Sequence, residues 1–246
     1  MNLLQSVRVG LTVCWVLSLC ACASLSPLTT DSHSAYAAAL ADAAVASPGK
    51  VVALRPLPAD PAVAMVSWVT DQRAPCARDA LPCEMKVGAD RLWVTLAGEV
   101  QGLCSHWGLQ GDALRSRLEQ LLGLPTNSPP QYRKTQFVIL EIPRESIERP
   151  CLGVRDNASG QPVCTIDAQV DTPPAMRNFV GQQMASAYVM DNPKGPGYPY
   201  TRLGYTYDWA GNALPSHYGA SEFVVAPGSV VKAVQIVATD DYCAVR

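Results

Sequence analysis

The order of apolar and polar positions along the chain predicts a series of short strands. Across residues 91–96, Leu92, Val94 and Leu96 alternate with side chains of other character. A period of two places such residues on one face of a β-strand. Further strands are predicted in apolar and β-branched runs at residues 51–54, 63–69, 136–142, 201–209, 222–225 and 230–239.

Two segments carry the period of a helix instead. Residues 112–122 place their leucines on one face, begin at Asp112 and end before Gly123 and Pro125. Asp is a good N-cap residue, and Gly followed by Pro is typical of a helix end. Residues 174–188 begin with prolines, which the first helical turn accepts, and repeat apolar side chains at helical spacing.

Strands mixed irregularly with two main helices predict a single α+β domain with a mostly antiparallel sheet. The strands at 222–225 and 230–239 are expected to form a hairpin through the turn at 226–229. Hydrophobic residues make up 48% of the 246 positions, so one substantial core is expected.

The N-terminal segment has the composition of an export signal. Arg8 precedes an apolar run at residues 9–19, which ends in Leu19-Cys20-Ala21-Cys22. This sequence resembles a bacterial lipoprotein signal with its lipobox, and Cys22 corresponds to the lipid-bearing cysteine. A plain cleaved signal and a membrane anchor are the alternatives, although the run is shorter than the ~20 residues of a spanning helix.

The lipoprotein resemblance implies a division of the chain into three parts. Residues 1–21 are expected to be a signal peptide, 22–49 a lipidated and partly helical tether, and 50–246 a globular envelope domain. The lipid on Cys22 implies a membrane partner. Because residue 23 is Ala and not Asp, the resemblance favours anchoring in the outer membrane.

Six cysteines follow Cys22, and an even number in an exported chain predicts three disulfides. Many pairings are open from sequence alone. Two pairs lie in short loops with turn residues, and the remaining two cysteines are distant. No CxxC spacing occurs, so neither a metal nor a cofactor is expected. The favoured disulfides are Cys76–Cys83, Cys151–Cys164 and Cys104–Cys243.

Charge argues against nucleic acid as a partner. The formal net charge is −2, and it becomes −3 without residues 1–21, which contain Arg8 and no acidic residue. The remaining basic residues are scattered along the chain, whereas a phosphate-binding surface needs them clustered.

The aromatic strand at 201–209 suggests a binding surface. As an extended strand, it places Tyr205, Tyr207 and Trp209 on one face. Such a face can bind an envelope glycan or a protein partner. The alternative is that these rings form the inner face of the sheet. The expected function is an outer-membrane-anchored lipoprotein with a disulfide-stabilised binding domain.

An envelope hydrolase or transferase is the alternative function. Arg202, His217 and Glu222 form the best catalytic set that the sequence offers, as charged and titratable groups in neighbouring segments. Cys104 and His106 suggest a thiol nucleophile with its base, but an exported cysteine is expected to be oxidised.

Two family resemblances concern the body of the chain. Residues 221–229, Ser-Glu-Phe-Val-Val-Ala-Pro-Gly-Ser, resemble the late Glu-bearing strand and Pro-Gly turn of ADP-ribosyltransferases. The family's early arginine and Ser-Thr-Ser motifs are not evident. The sequences at residues 149–151, 164, 200–209 and 221–225 also resemble a family of exported bacterial proteins without assigned function. That resemblance covers most of residues 90–243 and implies one compact disulfide-containing domain and no site.

Overall fold

A computed structural model describes residues 32–126, 128–190, 195–211 and 217–244 of the chain. These residues form a single α+β domain around a seven-stranded antiparallel sheet, as the sequence predicts. The predicted signal segment, Cys22 and the first part of the predicted tether lie outside the described residues.

The five α-helices are α1 (Ser32–Ala43), α2 (Ala97–Cys104), α3 (Gly111–Leu121), α4 (Pro174–Ala187) and α5 (Thr239–Cys243). The first strands are β1 (Ala62–Val69), β2 (Cys83–Lys86), β3 (Leu92–Leu96), β4 (Gln136–Pro143), β5 (Ile147–Glu148), β6 (Val154–Asp156) and β7 (Pro162–Cys164). The remaining strands are β8 (Tyr205–Tyr207), β9 (Tyr218–Ser221), β10 (Phe223–Val225) and β11 (Val230–Ala238).

The large sheet divides between β1 and β3. Its strand order is β2-β11-β4-β1-β3-β10-β5, and β1 pairs with β4 along its whole length. In contrast, only the pairs Met65–Leu96 and Val66–Thr95 join β1 to β3 among the described residues. Beyond them, β3 continues with β10. The sheet therefore opens at this point into two walls.

Alternating side chains of β1 enter different cores, as the pleat of a strand requires. Val63 and Met65 pack in one hydrophobic cluster of the sheet. Val66 and Trp68 pack on the other side, against the leucine face of α3 together with residues of α2 and α5. The period predicted for α3 is thus confirmed, because its apolar face covers the sheet.

All three predicted disulfides are present. They join Cys76 to Cys83, Cys104 to Cys243, and Cys151 to Cys164. The Cys104–Cys243 bond connects α2 to α5 across 139 residues of sequence and lies in the core beneath the sheet. Cys104 is therefore a structural residue and not a thiol nucleophile.

The predicted hairpin of the last two strands is wrong. β10 pairs with β3 and β5, whereas β11 pairs with β2 and β4. The turn between them exists, but Gly228 donates its backbone N–H to Val87, and Val87 donates to Ser229. These bonds align β11 with β2, so the chain crosses to the other part of the sheet.

The predicted boundary at residue 50 also needs correction. Tyr36, Leu40 and Ala43 of α1 are buried against Tyr207 and Trp209 of the body. The compact unit therefore begins before residue 50 and includes α1. The small alanines of α1 allow its backbone to approach the aromatic rings closely, a contact that the Ala-rich composition alone does not reveal.

Other strand predictions hold in part. Residues 51–54 form no strand, although Leu54 donates one backbone bond to Pro162. The predicted strand at 201–209 is reduced to β8, because the backbone before it turns. Arg202 has a φ of +50°, which interrupts the extended conformation.

Candidate functional site

The aromatic residues expected to form a binding surface are buried. Tyr205 is 1% exposed, and Tyr207 and Trp209 are each 5% exposed. Tyr36 of α1 contacts the Trp209 ring edge-on, with 5.3 Å between the centroids. The described structure therefore corrects the assignment of this strand as an exposed platform, and its rings belong to the core.

The polar atoms of this buried group all bond within the domain. The Tyr205 hydroxyl donates to the Lys50 carbonyl at 2.9 Å, and the Tyr207 hydroxyl donates to Asp42 at 3.0 Å. Trp209 donates its Nε1–H to the Leu124 carbonyl at 3.0 Å. Such satisfied buried polar groups are typical of a protein core.

The three candidate catalytic residues do not form one site. Arg202 places Nη1 3.2 Å from the sulfur of Met184. His217 bonds through Nδ1 to the Asp208 carbonyl at 3.0 Å and stacks on Tyr207. No described hydrogen bond or ion pair joins either residue to Glu222. Arg202 and His217 both have φ near +50°, so neither residue lies in regular extended backbone.

A cavity of about 430 Å³ lies where β1 and β3 separate, and we call it the cleft. Its volume is in the range of small-molecule sites. One wall comes from the end of β1 and the start of β4, and the other comes from β3 and Glu222. Its polar and aromatic lining residues are Ser67, Trp68, Arg73, Arg91, Trp93, Thr95, Lys134, Phe137, Tyr198, Thr206 and Glu222.

Glu222 is the member of the catalytic set that lines the cleft. It is the single residue between β9 and β10, and its backbone N–H bonds to the Gly204 carbonyl at 3.0 Å. The residue is 8% exposed, and the Oε2 of its side chain has no hydrogen-bond partner among the described residues. Burial raises the pKa of this carboxyl to about 8, against the opposing charge of Arg149.

Aromatic side chains fix the wall beside Glu222. Trp93 contacts Phe179, Tyr198 and Tyr200, with ring centroids 5.7, 5.9 and 6.0 Å away. The Tyr198 hydroxyl donates to Gln183 at 2.5 Å. Burial, followed by the charge of Glu222, raises the pKa of Tyr198. These rings are held in place before any ligand arrives, which favours binding.

Two basic residues line the opposite wall. Lys134 is half-buried, and Arg73 is exposed. Burial lowers the pKa of Lys134, and the nearby Arg73 charge lowers it further, whereas Glu119 opposes the change. No described carboxylate lies within 4 Å of Arg73 or Lys134, whereas Arg91 forms an ion pair with Glu148.

The sequence did not single out the cleft. Trp93, Arg73 and Lys134 come from separate segments, and each is unremarkable by itself. The one lining residue that the sequence did indicate is Glu222, which was predicted as a candidate catalytic residue because it is an acidic residue at the start of an apolar strand. Among the described residues, no group of three His, Cys, Asp or Glu side chains is arranged to hold a metal ion.

Comparisons with known proteins do not assign the chain to a family. The chain matches no protein-family model, no curated protein and no solved structure. None of the helices in the described residues has both the length and the apolar character of a membrane span.

Proposed function

We propose that this chain is an outer-membrane-anchored lipoprotein whose folded body binds an envelope glycan in the cleft. The anchor is supported by the lipobox at Cys22, and three disulfides suit an oxidising compartment. A concave cavity of this size suits part of a small ligand better than a protein surface, so a glycan is favoured over a protein partner.

The observation that carries this proposal is the unpartnered Oε2 of Glu222 in the cleft. A buried polar atom without a partner costs about 1–3 kcal/mol. A ligand hydroxyl or amide that bonds this oxygen removes that cost. Sugars offer several such groups, and the apolar faces of their rings pack on aromatic side chains such as Trp93.

Calorimetric titration of the full-length, detergent-solubilised protein with chitobiose tests the glycan site. We expect Trp93→Ala and Glu222→Leu each to weaken binding about tenfold, which corresponds to about 1.4 kcal/mol. Glu145→Gln, an exposed carboxylate outside the cleft, serves as the control and should bind like the wild type. Circular dichroism establishes that each variant is folded. Absence of binding, or equal binding by all three variants, would contradict the proposal.

The anchor is tested separately with a clickable palmitate analogue in growing cells. We expect the wild type to incorporate the label and to fractionate with the outer membrane. Cys22→Ala should lose the label, whereas Cys20→Ala, which changes a neighbouring cysteine, should keep it. An unlabelled wild type would refute the lipid anchor.

An envelope hydrolase or transferase is the second candidate, with Glu222 as general acid. The raised pKa, about 8, keeps this carboxyl protonated at neutral pH, as a proton donor to a leaving group requires. Arg202 and His217 have other partners, so this version depends on Glu222 alone among the three. Turnover of a bound glycan that Glu222→Gln abolishes while affinity persists would favour catalysis over binding.

A further inference from the structure

The charged side chains in the cleft indicate which class of glycan it would bind, and this inference rests on the glycan site proposed above. We propose that the cleft selects sugars that carry a carboxylate or phosphate, held by Arg73 and Lys134, while Glu222 bonds a hydroxyl or amide of the same ligand. Three observations support this assignment: the position of the two cations, their lack of an acidic partner, and the missing hydrogen-bond partner of the Glu222 Oε2 atom.

The two cations line the cleft beside the paired ends of β1 and β4. Arg73 follows the end of β1, and Lys134 precedes the start of β4, where the paired ends Val69 and Gln136 meet. Glu222 lies on the other wall, adjacent to β10 and β3. A ligand that reaches from Glu222 to Arg73 and Lys134 therefore meets a carboxyl group and two cations, in addition to the Arg91 side chain, which is paired with Glu148.

The basic pair has no compensating partner in the described part of the chain. Arg117, by contrast, bonds both oxygens of Asp208, at 2.7 and 3.0 Å. Lys134 is half-buried beside a second positive charge, and both effects disfavour its charged form. A ligand anion placed between Arg73 and Lys134 offsets both effects, and a partly desolvated site strengthens that attraction.

Among the described residues, Glu119 is the one acidic group that acts on Lys134, and it does not cancel this charge. Burial raises the pKa of Glu119 to about 7, although Arg115, Arg133 and Lys134 act in the opposite direction. A carboxyl with this pKa is protonated in a large fraction of molecules at neutral pH. The part of the cleft that Arg73 and Lys134 line therefore keeps a net positive charge.

Matched pairs of sugars test the preference by calorimetric titration of the full-length, detergent-solubilised protein. The carboxylate pair is glucuronate with glucose, and the phosphate pair is N-acetylglucosamine 6-phosphate with N-acetylglucosamine. We expect the acidic member of at least one pair to bind about tenfold more tightly, the size expected of one charge-assisted contact. The two pairs distinguish a carboxylate ligand from a phosphate ligand.

Variants locate the source of the preference. Lys134→Met and Arg73→Gln are each expected to weaken binding of the acidic sugar about tenfold and binding of the neutral sugar less than twofold. Lys232→Met removes a cation from β11, outside the cleft, and should leave the preference intact. Thermal unfolding confirms that each variant is folded, and Lys134→Met should fold because it removes a half-buried charge.

The outcomes separate this inference from the glycan site itself. Equal binding of acidic and neutral sugars by the wild type would overturn the anion preference and retain the glycan site. Binding of none of the four sugars would overturn both. A preference that persists in the Arg73→Gln, Lys134→Met double variant would place the anion elsewhere and overturn the inference.

Discussion

Two aromatic regions of this domain differ in how their polar atoms are satisfied. Beneath α1, the hydroxyls of Tyr205 and Tyr207 and the indole N–H of Trp209 all bond to groups of the chain. In the cleft, Trp93 is held by neighbouring rings, but the Oε2 of Glu222 has no partner. Similar residue types thus form a closed core in one region and line an open cleft in the other.

The difference shows that aromatic content does not by itself identify a binding surface. Tyr and Trp rings contribute a large apolar area wherever they lie, so a core and a binding site can have the same composition. A buried polar atom without a partner is the more informative feature, because a closed core rarely contains one. Substitutions in each region test whether this distinction holds.

The largest expected effect is the loss of stability on truncation of the closed region. Trp209→Ala removes a buried ring that contacts Tyr36 and an indole N–H that bonds Leu124. We expect the free energy of unfolding to fall by about 4 kcal/mol, as for other large-to-small core changes. Chemical denaturation monitored by far-UV circular dichroism measures this change.

Tyr132→Ala is the matched control, because this aromatic side chain is exposed. Its effect should stay within about 0.5 kcal/mol. Trp209→Ala protein that unfolds like the wild type but loses glycan binding would reverse the assignment. Trp209 would then be a binding residue and not part of the core.

The sequence predicts those parts of the domain that depend on local patterns. The leucine period identifies α3, and the short loops identify two of the disulfides, after which Cys104 and Cys243 remain as the third pair. The distant pairing of β10 with β3 is different. A turn sequence constrains the direction of the chain over four residues, but it does not determine which strand edge is free to receive the next segment.

The side chains of the candidate site were also difficult to predict, because they come from segments that are distant in sequence. Glu222 was predicted as a functional residue, and it lines the cleft. Its expected partners Arg202 and His217 were predicted as charged and titratable groups of neighbouring segments, but both residues have positive φ and bond elsewhere. The actual neighbours, such as Trp93 and Lys134, come from strands whose separation depends on packing across the whole sheet.

A second prediction concerns the pH dependence that Glu222 gives to the cleft. Burial raises its pKa from 4.5 to about 8 in the folded chain, so the folded state holds this proton more tightly than the unfolded state. The associated stability is complete below pH 4.5 and is lost as the pH rises toward 8. Glu222→Gln does not titrate, so its stability relative to the wild type should rise by roughly 3–4 kcal/mol between pH 5 and pH 9.

Urea denaturation of both proteins across this pH range measures the difference. Glu145→Gln, whose side chain is exposed, should follow the wild-type profile. Parallel profiles for Glu222→Gln and the wild type would mean that the Glu222 carboxyl is well solvated. The contrast between an open cleft with an unsatisfied buried group and a closed core would then fail.

The smallest expected effect tests whether α1 belongs to the closed region. The Tyr36 hydroxyl donates to the Gly197 carbonyl at 2.7 Å and thereby links α1 to the segment before β8. Tyr36→Phe retains the ring against Trp209 and removes this bond, which should cost about 1 kcal/mol of unfolding free energy. Tyr132→Phe on the exposed surface should cost nothing measurable. If the two variants are equally stable, α1 is not fixed on the body in solution, and the rings beneath it become accessible as the binding surface that the sequence first suggested.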